Sequence, residues 1–260
     1  MSSSRMLVRE REETILRLLD LHTFANIHDV VEATGASEAT IRRVFIEMEN
    51  EGLLRRVRGG VEQIRSRDNQ SQKEASLDSR LGVNRENKRR IAKRAAALLG
   101  PGETIFIDGG STTFHLIEYI SSLNLTVVTN SFAIAEHLVR HSKCTVILPE
   151  GTVNAHSLLI LNNLSPDPFA NYQATKAFMG IEGITGEALT NSEPLLIQVE
   201  RAMIAHAKEL VILADGSKFG KIGNLTLCLV ERVTKIITTQ DADPVVVETL
   251  RQKGIEVIVL

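Results

Sequence analysis

The stretch that most constrains the fold of this chain is residues 25–44, in which two amphipathic segments flank a turn at residues 34–37. Gly35 in that turn tolerates the positive φ of a sharp reversal. Ser37 predicts the N-cap of a second helix, from about residue 38 to 50, because its hydroxyl can accept a backbone N–H. Two helices across a four-residue turn predict a helix-turn-helix, with an ordinary helical hairpin as the alternative.

The predicted second helix has two different faces. Its buried stripe is Ile41, Phe45 and Met48, at steps of four and three residues. The opposite face is polar and fits the major groove of DNA, where arginine binds guanine or phosphate. The DNA-contacting residues predicted for this helix and its cap are Ser37, Glu38, Thr40, Arg42 and Arg43.

A basic β-hairpin is predicted directly after this helix. Residues 53–61 alternate apolar and basic side chains around Gly59-Gly60, and no acidic residue lies between Gly52 and Val61. A helix-turn-helix followed by such a hairpin is typical of a winged helix, whose wing reaches phosphate or the minor groove. The predicted wing contacts are Arg55, Arg56 and Arg58.

These motifs resemble the DeoR family of bacterial transcriptional regulators. The resemblance rests on residues 37–43 (SEATIRR), 49–55 (ENEGLLR) and 58–60 (RGG). One difference lies in the recognition helix, where the family usually has Arg-Arg-Asp-Leu and this chain has Arg42-Arg43-Val44-Phe45. The missing acidic residue leaves the local charge more positive. The resemblance implies a regulator that binds double-stranded operator DNA.

The overall charge says little about nucleic-acid binding. The whole chain has a formal charge of −2, and residues 1–67 contain eleven arginines and eleven acidic residues. The signal is positional, since the arginines cluster on the predicted contact face. A neutral, small head suggests modest affinity for DNA, so we expect a homo-oligomer that places two heads on one duplex.

No feature of the sequence predicts a membrane segment or an export signal. The chain has no apolar run of 18 residues, and no apolar stretch follows residues 1–5. Its two cysteines, Cys144 and Cys228, lie in apolar strand-like runs and are expected to be buried, reduced thiols. A cytoplasmic protein is the consistent interpretation.

The chain is predicted to contain two domains. Residues 1–64 form the winged head, with a first helix at 5–22, and residues 65–84 form a polar linker. Residues 85–260 begin with a helix at 85–99 and then alternate apolar strands with helices. That alternation predicts an α/β fold around a mainly parallel sheet.

Ligands of such sheets bind beyond the carboxyl ends of the strands. The best candidate is the loop 108–113, which follows a predicted strand and opens a helix predicted at 112–121. Its glycines allow close approach to the backbone, and its hydroxyls and helix N-terminus favour a phosphate or carboxylate. The loop residues are Asp108, Gly109, Gly110, Ser111, Thr112 and Thr113. A capped helix with a glycine turn is the alternative, and no Walker A lysine follows.

Further loops are predicted at the same sheet edge. Their candidate ligand-binding residues are Thr129, Asn130, Glu150, Asp215 and Lys218. Lys218 can meet a phosphate oxyanion, and Asp215 can accept protons from sugar hydroxyls. Each loop alone is more typical of a turn than of a binding site, and their convergence at one edge is what favours a pocket.

The resemblance to the DeoR family continues through these loops, in residues 108–113, 127–131 and 215–220. It implies a sensor domain similar to ribose-5-phosphate isomerase and coenzyme-A transferases, which binds phosphorylated sugars. No cofactor is predicted. Two differences lie at residues 149–151, where the family usually has Gly-Gly, and at residues 156–163, where its usual Ser-x-x-Gly is replaced by Ser-Leu-Leu-Ile.

Three functions from different classes remain at this stage. The first is a repressor of a carbohydrate-utilisation operon that a phosphorylated sugar releases from DNA. The second is a sugar-phosphate isomerase using Asp108, Glu150 and Lys218 for acid–base chemistry, and the third is a partner-binding module. His137 and His141 share a helix face, but no third ligand accompanies them, so no metal site is predicted. The winged head favours the repressor, because an isomerase needs no DNA-binding domain.

Overall fold

The protein is described by a computed structural model that covers residues 8–22, 24–50, 53–57, 59–63, 77–155, 157–161, 165 and 167–260. The chain divides into two compact units, Met1–Lys73 and Glu74–Leu260. In the described part of the chain, no helix is both long and apolar enough to cross a bilayer.

The first unit is a winged helix. Its elements in chain order are α1 (Val8–His22), β1 (Phe24–Asn26), α2 (Ile27–Thr34), α3 (Glu38–Asn50), β2 (Leu54–Val57) and β3 (Gly60–Gln63). The three strands form an antiparallel sheet in the order β1-β3-β2. The predicted helix-turn-helix and hairpin are confirmed, and residues 5–7 of the predicted first helix lie outside the described residues.

The predicted stripe of α3 is confirmed as the core of this unit. Ile41, Phe45 and Met48 are buried against Ile15 and other apolar side chains of α1 and α2. Val44 is also buried, so the residue that differs from the usual family pattern lies in the core. Its position favours an apolar residue because a buried carboxylate without a partner is costly.

The turn between α2 and α3 has the predicted chemistry. Gly35 has a φ of 63° and ends α2, and its N–H donates to the Val31 carbonyl over 2.8 Å. The Ser37 hydroxyl accepts the Thr40 backbone N–H over 3.3 Å and caps α3. Local sequence therefore determines the angle at which α3 leaves the turn.

The second unit is an α/β domain. Its elements are α4 (Leu77–Gly82), α5 (Arg85–Ala96), β4 (Thr104–Ile107), α6 (Ser111–Phe114), α7 (Ile117–Ile120), β5 (Thr126–Thr129), α8 (Phe132–His141), β6 (Thr145–Ile147), β7 (Thr152–Val153), β8 (Ile160–Leu161), β9 (Ala174–Met179), β10 (Gly183–Ile184), β11 (Ala188–Asn191), α9 (Pro194–Ala205), β12 (Ala207–Leu213), β13 (Leu225–Leu229), β14 (Lys235–Thr238), α10 (Pro244–Gln252) and β15 (Glu256–Val259).

A seven-stranded parallel sheet forms the centre of this domain, in the order β15-β14-β12-β9-β4-β5-β6. Strands β10, β11 and β13 form a small antiparallel sheet, and β7 pairs with β8. The predicted mainly parallel α/β fold is confirmed. The order brings the carboxyl ends of β12, β9, β4 and β5 next to one another, and these strands lead into the predicted ligand loops.

The core lies on both faces of the parallel sheet. In β4, Ile105 and Ile107 pack on one face, together with Ile91 of α5, whereas Phe106 packs on the other face against Phe169. This alternation follows from the two-residue period of a strand. Helices cover both faces, so most residues of these strands are apolar, and the polar ones are mainly threonines and lysines.

Two predicted boundaries differ from the structure. The predicted helix 112–121 is two four-residue helices, α6 and α7, because Leu116, Glu118 and Tyr119 donate to carbonyls three rather than four residues earlier. The predicted linker 65–84 includes α4, which lies in the second unit with Leu77 buried. Residues 65–76 lie outside the described residues.

Candidate nucleic-acid interface and ligand pocket

The polar face of α3 is exposed to solvent. Glu38, Arg42 and Arg43 are exposed, and Thr40 is half-buried. Ser37 and Thr40 are joined through their hydroxyls over 2.8 Å, in addition to the capping bond. The serine and threonine therefore shape the start of the helix, whereas the arginines are the groups that project outward.

The two arginines of α3 have different surroundings. Arg42 donates from Nε and Nη2 to Glu38 Oε1, over 3.1 and 2.5 Å. That hydrogen bond and the arginine's charge lower the pKa of Glu38. Arg43 has no hydrogen bond or ion pair with any residue that the structure describes. The guanidinium of Arg43 is therefore the one on this helix that can meet DNA without leaving a partner.

The wing arginines are also paired with acidic residues. Arg55 of β2 binds Glu62, which lies directly opposite on β3. Arg56 donates its backbone N–H and its Nε to the carboxylate of Glu49 on α3, over 2.8 and 2.6 Å. The Arg56 pair links the wing to the recognition helix and lowers the pKa of Glu49. Arg58, the third predicted wing contact, lies outside the described residues.

These acidic partners were not foreseen from the sequence, although two signals were available. Glu38 and Arg42 stand four residues apart on one helix. Arg55 and Glu62 are opposite each other if the hairpin turns at Gly59-Gly60. Exposed ion pairs contribute little to stability, so a DNA phosphate can replace the carboxylate as the partner of the arginine.

The loop after β4 centres on a buried carboxyl group. Asp108 is 3% exposed, and its Oδ2 accepts the Gly180 backbone N–H over 3.2 Å. Burial raises the pKa of Asp108 to about 6, while the backbone N–H groups of Gly180 and Gly109 and the charge of Arg80 limit the rise. Asp108 Oδ1 is buried and has no hydrogen-bond partner among the described residues.

Asn130 follows the neighbouring strand β5 and has an unpartnered donor, whereas Asp108 has an unpartnered acceptor, among the residues that the structure describes. It is fully buried, and its Oδ1 accepts the Gly109 backbone N–H over 3.0 Å. Asn130 also lowers the pKa of Asp108, although no hydrogen bond of ordinary geometry joins its Nδ2 to the carboxylate. Within the described residues, Asn130 Nδ2 has no acceptor, so a donor and an acceptor are left unpartnered at one sheet edge. Buried polar groups are normally paired, so the pair indicates a place for a polar ligand or water.

Several predicted pocket residues hold the loops instead. The Thr113 hydroxyl lies 2.6 Å from the Asp108 carbonyl oxygen and 2.7 Å from that of Gly110. The Thr129 hydroxyl accepts the Ser131 backbone N–H over 3.1 Å, and Thr129 is fully buried. Thr112 is buried as well. Ser111 is half-exposed, and its hydroxyl has no hydrogen-bond partner in the described part of the chain.

The two glycines of this loop serve packing. A Cβ on Gly109 would lie 1.9 Å from Leu159 Cδ2, so the Leu159 side chain fills the space above this residue. A Cβ on Gly110 would lie 3.1 Å from Thr113 Oγ1 and 3.3 Å from Asp108 Oδ2. The side chain of Leu159 thus occupies the space next to Gly109, and the prediction that a ligand approaches the backbone there stays a prediction.

The loop after β12 contributes a second carboxylate and a lysine. Asp215 is 2% exposed, and its Oδ1 accepts the Ser217 backbone N–H over 3.0 Å. Asp215 Oδ2 accepts from Asn84 Nδ2 over 3.4 Å. Lys218 is half-buried, and its Nζ has no hydrogen-bond partner among the described residues. Glu150 is exposed after β6 and makes no hydrogen bond or ion pair in the described structure, so nothing ties it to this pocket.

Four further residues line this region and were missed from the sequence. They are Arg80, Asn84, Lys88 and Glu200. Lys88 belongs to the buried stripe of α5, three and four residues before Ile91 and Ala92. A lysine on an apolar stripe was the available signal, because a lysine is almost never fully buried without a partner.

Glu200 on α9 extends the buried polar region. It is 1% exposed, and both carboxylate oxygens accept from Asn191 Nδ2, over 2.9 and 2.7 Å. Burial, and next the charge of Asp108, raises the pKa of Glu200 well above its ordinary value. The buried polar region therefore contains two carboxyl groups, those of Asp108 and Glu200, whose pKa is raised by burial.

Comparison with known proteins shows which family this architecture belongs to. The family model described as the DeoR C terminal sensor domain matches residues 83–240, and that of the DeoR-like helix-turn-helix domain matches residues 11–67. The chain belongs to the DeoR family. Both halves of this DeoR-family protein match, in the order that the winged head and the α/β domain follow.

Curated relatives of the chain are named as HTH-type transcriptional regulators. The chain is 29% identical over 251 residues to the HTH-type transcriptional regulator UlaR of Shigella dysenteriae serotype 1 (strain Sd197), covering 96% of this chain and 98% of the relative. UlaR of Escherichia coli (strain K12 / DH10B) matches with the same identity and coverage. This DeoR-family protein is thus a DNA-binding transcriptional regulator and not an enzyme.

Solved structures similar to the chain include a ribose 5-phosphate isomerase A from Methanocaldococcus jannaschii. It is 21% identical with a TM-score of 0.39, over 52% of this chain and 55% of that one. A translation initiation factor eIF-2B from Pyrococcus horikoshii OT3 is 14% identical with a TM-score of 0.39, over 88% and 86% of the two chains.

Proposed function

We propose that this DeoR-family regulator represses a carbohydrate-utilisation operon in the cytoplasm and that a phosphorylated sugar releases it from the operator. The observation that carries the proposal is the pair of buried, unpartnered groups at the sheet edge, Asp108 Oδ1 and Asn130 Nδ2. A sugar hydroxyl donates and accepts at once, so one hydroxyl can satisfy both groups. An apolar ligand would leave both of them unpaired.

The phosphate of such a ligand finds cations and a hydroxyl nearby. Within the described residues, neither the Lys218 ammonium group nor the Ser111 hydroxyl has a hydrogen-bond partner, so both can bind a phosphate. The helix that Ser111 begins has only four residues, so its dipole adds little and the side chains must supply most of the attraction. Asp215 accepts from Ser217 and Asn84, and in this proposal it also accepts from a second sugar hydroxyl.

A ligand acts as an inducer only if it binds one state of the protein more tightly than the other. For a repressor, the favoured state is the one that binds the operator less well. A coupling of about 1–3 kcal/mol corresponds to roughly a 5- to 150-fold change in operator affinity. This range is the expected difference between the free and the ligand-saturated protein.

The pocket assignment predicts the behaviour of two variants. The Lys218→Ala and Ser111→Ala variants should stay bound to the operator at sugar-phosphate concentrations that release the parent protein. Each substitution removes a side chain that binds the phosphate. The measurement is a gel shift on the DNA upstream of the protein's own gene, titrated with pentose and hexose phosphates. Lys221→Ala, an exposed lysine three residues further on, is the matched control. If both variants respond to the effector like the parent, the pocket lies elsewhere.

We also propose that the regulator binds DNA as a homo-oligomer, at least a dimer. Four described arginines of the head, Arg17, Arg42, Arg55 and Arg56, are paired with acidic residues, which reduces the free positive charge of one head. Two heads on one duplex raise the effective concentration of the second contact. Sedimentation at the concentration that saturates the operator should give at least twice the mass of one chain. Tight binding by a sedimenting monomer would contradict this proposal.

A further inference from the structure

The hairpin of β7 and β8 is joined through its backbone to the loop that follows β5. Ile160 donates its N–H to the Asn130 carbonyl over 2.7 Å, and the Leu158 carbonyl accepts the Phe132 N–H over 2.8 Å. The hairpin includes part of residues 156–163, where the sequence differs from the usual family pattern. The segment that departs from that pattern therefore lies against one of the predicted ligand loops.

The turn of this hairpin is held by its own hydrogen bonds. Leu158 has a φ of 54°, a conformation that leucine rarely adopts. Its N–H donates to the Asn154 carbonyl over 2.9 Å, and Asn154 Oδ1 accepts the Ser157 N–H over 3.0 Å. The Asn154 N–H in turn donates to the Leu159 carbonyl over 2.8 Å. Because these bonds fix the backbone on both sides of Leu159, the turn sets the direction of the Leu159 side chain.

The Leu159 side chain fills the space between the loops that follow β4 and β5. Leu159 is 5% exposed, and it forms an antiparallel bridge with Ser131. A Cβ on Gly109 would overlap with Leu159 Cδ2 and would lie 3.2 Å from the Ser131 Cβ. Gly109 and Ser131 are the next residues in the chain after Asp108 and Asn130. A leucine methyl group therefore lies beside the loop positions that carry the two unpartnered polar groups.

An apolar side chain at this point restricts the ligands that the pocket can hold. A hydroxyl that faced Leu159 would lose its hydrogen bonds to water without gaining a partner from that side chain. An additional carbon would have to occupy the space that the leucine already fills. A mismatch of one methylene in an apolar part of a site is worth roughly a 10- to 200-fold difference in binding.

We infer that Leu159 is a specificity-determining residue of the effector pocket and that it favours sugar phosphates with a short carbon skeleton. The inference rests on the proposed function and deepens it, because it narrows the effector from phosphorylated sugars in general to the smaller ones. Leu159 then acts by size and polarity alone, while Asp108 and Asn130 bind the sugar hydroxyl.

Titration calorimetry of the full-length protein with ribose-5-phosphate and glucose-6-phosphate tests the inference, since the two differ by one hydroxyl-bearing carbon. The parent should bind ribose-5-phosphate more tightly. Leu159→Ala opens the space for the additional carbon, so the affinity for glucose-6-phosphate relative to ribose-5-phosphate should rise about tenfold or more. Leu159→Val removes a single carbon, which disturbs folding less, and should shift the same ratio in the same direction by a smaller factor.

Leu158→Gly is the matched control from the same turn. Glycine adopts the positive φ of this position without strain, so this variant should fold and should keep the ratio of the parent. A ratio that is unchanged in both Leu159 variants would overturn the inference, and so would a parent that prefers glucose-6-phosphate. An equal gain for both sugar phosphates would overturn it as well, because Leu159 would then be a plug that any ligand displaces.

The outcome for the parent separates this inference from the proposed function. If the parent binds ribose-5-phosphate and only the Leu159 variants fail to respond as expected, the effector pocket stands without a role for Leu159 in specificity. If the parent binds neither probe, the inference is overturned. If the operator titrations with the wider range of pentose and hexose phosphates also show no release, the proposed function fails as well.

Discussion

Replacing Arg43 by alanine should lower operator affinity by about 1–3 kcal/mol, or roughly 5- to 150-fold. Its guanidinium is exposed and has no partner in the described structure, so it can contact a base or a phosphate at no internal cost. Arg42 must first leave Glu38, so Arg42→Ala should cost less than Arg43→Ala. The double variant should show the largest loss, measured by fluorescence anisotropy on the operator at fixed salt.

The same titrations separate base reading from phosphate binding. A base-reading Arg43 relaxes discrimination between the operator and a scrambled duplex, whereas a phosphate contact weakens both duplexes equally. Arg17→Ala removes an exposed arginine from α1 and provides the control. A folded Arg42→Ala/Arg43→Ala protein that binds the operator as tightly as the parent would rule out α3 as the recognition helix.

Asp108→Asn should stabilise the free protein by up to about 3 kcal/mol at pH 7. The pKa of Asp108 is about 6 in the folded protein against an ordinary value of 3.8, and each unit is worth about 1.36 kcal/mol. The amide keeps an oxygen for the Gly180 N–H but carries no buried charge. Because this carboxyl group binds the sugar in the proposed pocket, the variant should also lose its response to the effector.

The pH dependence gives the sign of this prediction. Between pH about 4 and 6, the carboxyl is ionised in the unfolded chain and protonated in the folded one, so the unfolded state binds fewer protons. The stability of the parent therefore falls as the pH rises through this window, and the penalty persists above it. Urea unfolding at several pH values should show the advantage of Asp108→Asn shrinking towards pH 4. Glu150→Gln, at an exposed carboxylate, should follow the parent, and a variant less stable than the parent at pH 7 would refute the argument.

The ion pairs of the head and the cations of the pocket share a physical feature. In the head, the arginines form exposed ion pairs with acidic residues, and in the proposed pocket the cationic side chains have unused hydrogen-bond donors among the described residues. An incoming phosphate, from DNA or from a sugar, is a stronger partner because it accepts several charge-assisted hydrogen bonds. The proposed binding surfaces are thus suited to anions, although the formal net charge of the whole chain is only −2.

The sequence by itself determined the local elements of this protein. The stripe Ile41, Phe45 and Met48, the positive φ of Gly35 and the cap at Ser37 follow from short-range spacing and backbone chemistry, and the structure confirms them. The alternation of apolar strands with helices was sufficient to predict a parallel sheet. The loops that end at its edge could also be predicted, because all parallel strands point the same way.

Only the tertiary structure decided which side chains in those loops remain available to a ligand. The side chain of Leu159 covers Gly109, and the hydroxyls of Thr113 and Thr129 bind backbone groups of their own loops. In the sequence, Gly109, Thr113 and Thr129 look equally suited to binding a phosphate. Arg80 and Lys88 belong to α4 and α5 and lie near the ligand loops at the sheet edge. The sequence predicted α4 as part of a linker and α5 as a helix, and neither as part of a binding site. The physical reason is that hydrogen-bond satisfaction and burial depend on atoms far apart in the chain, which spacing along one segment does not record.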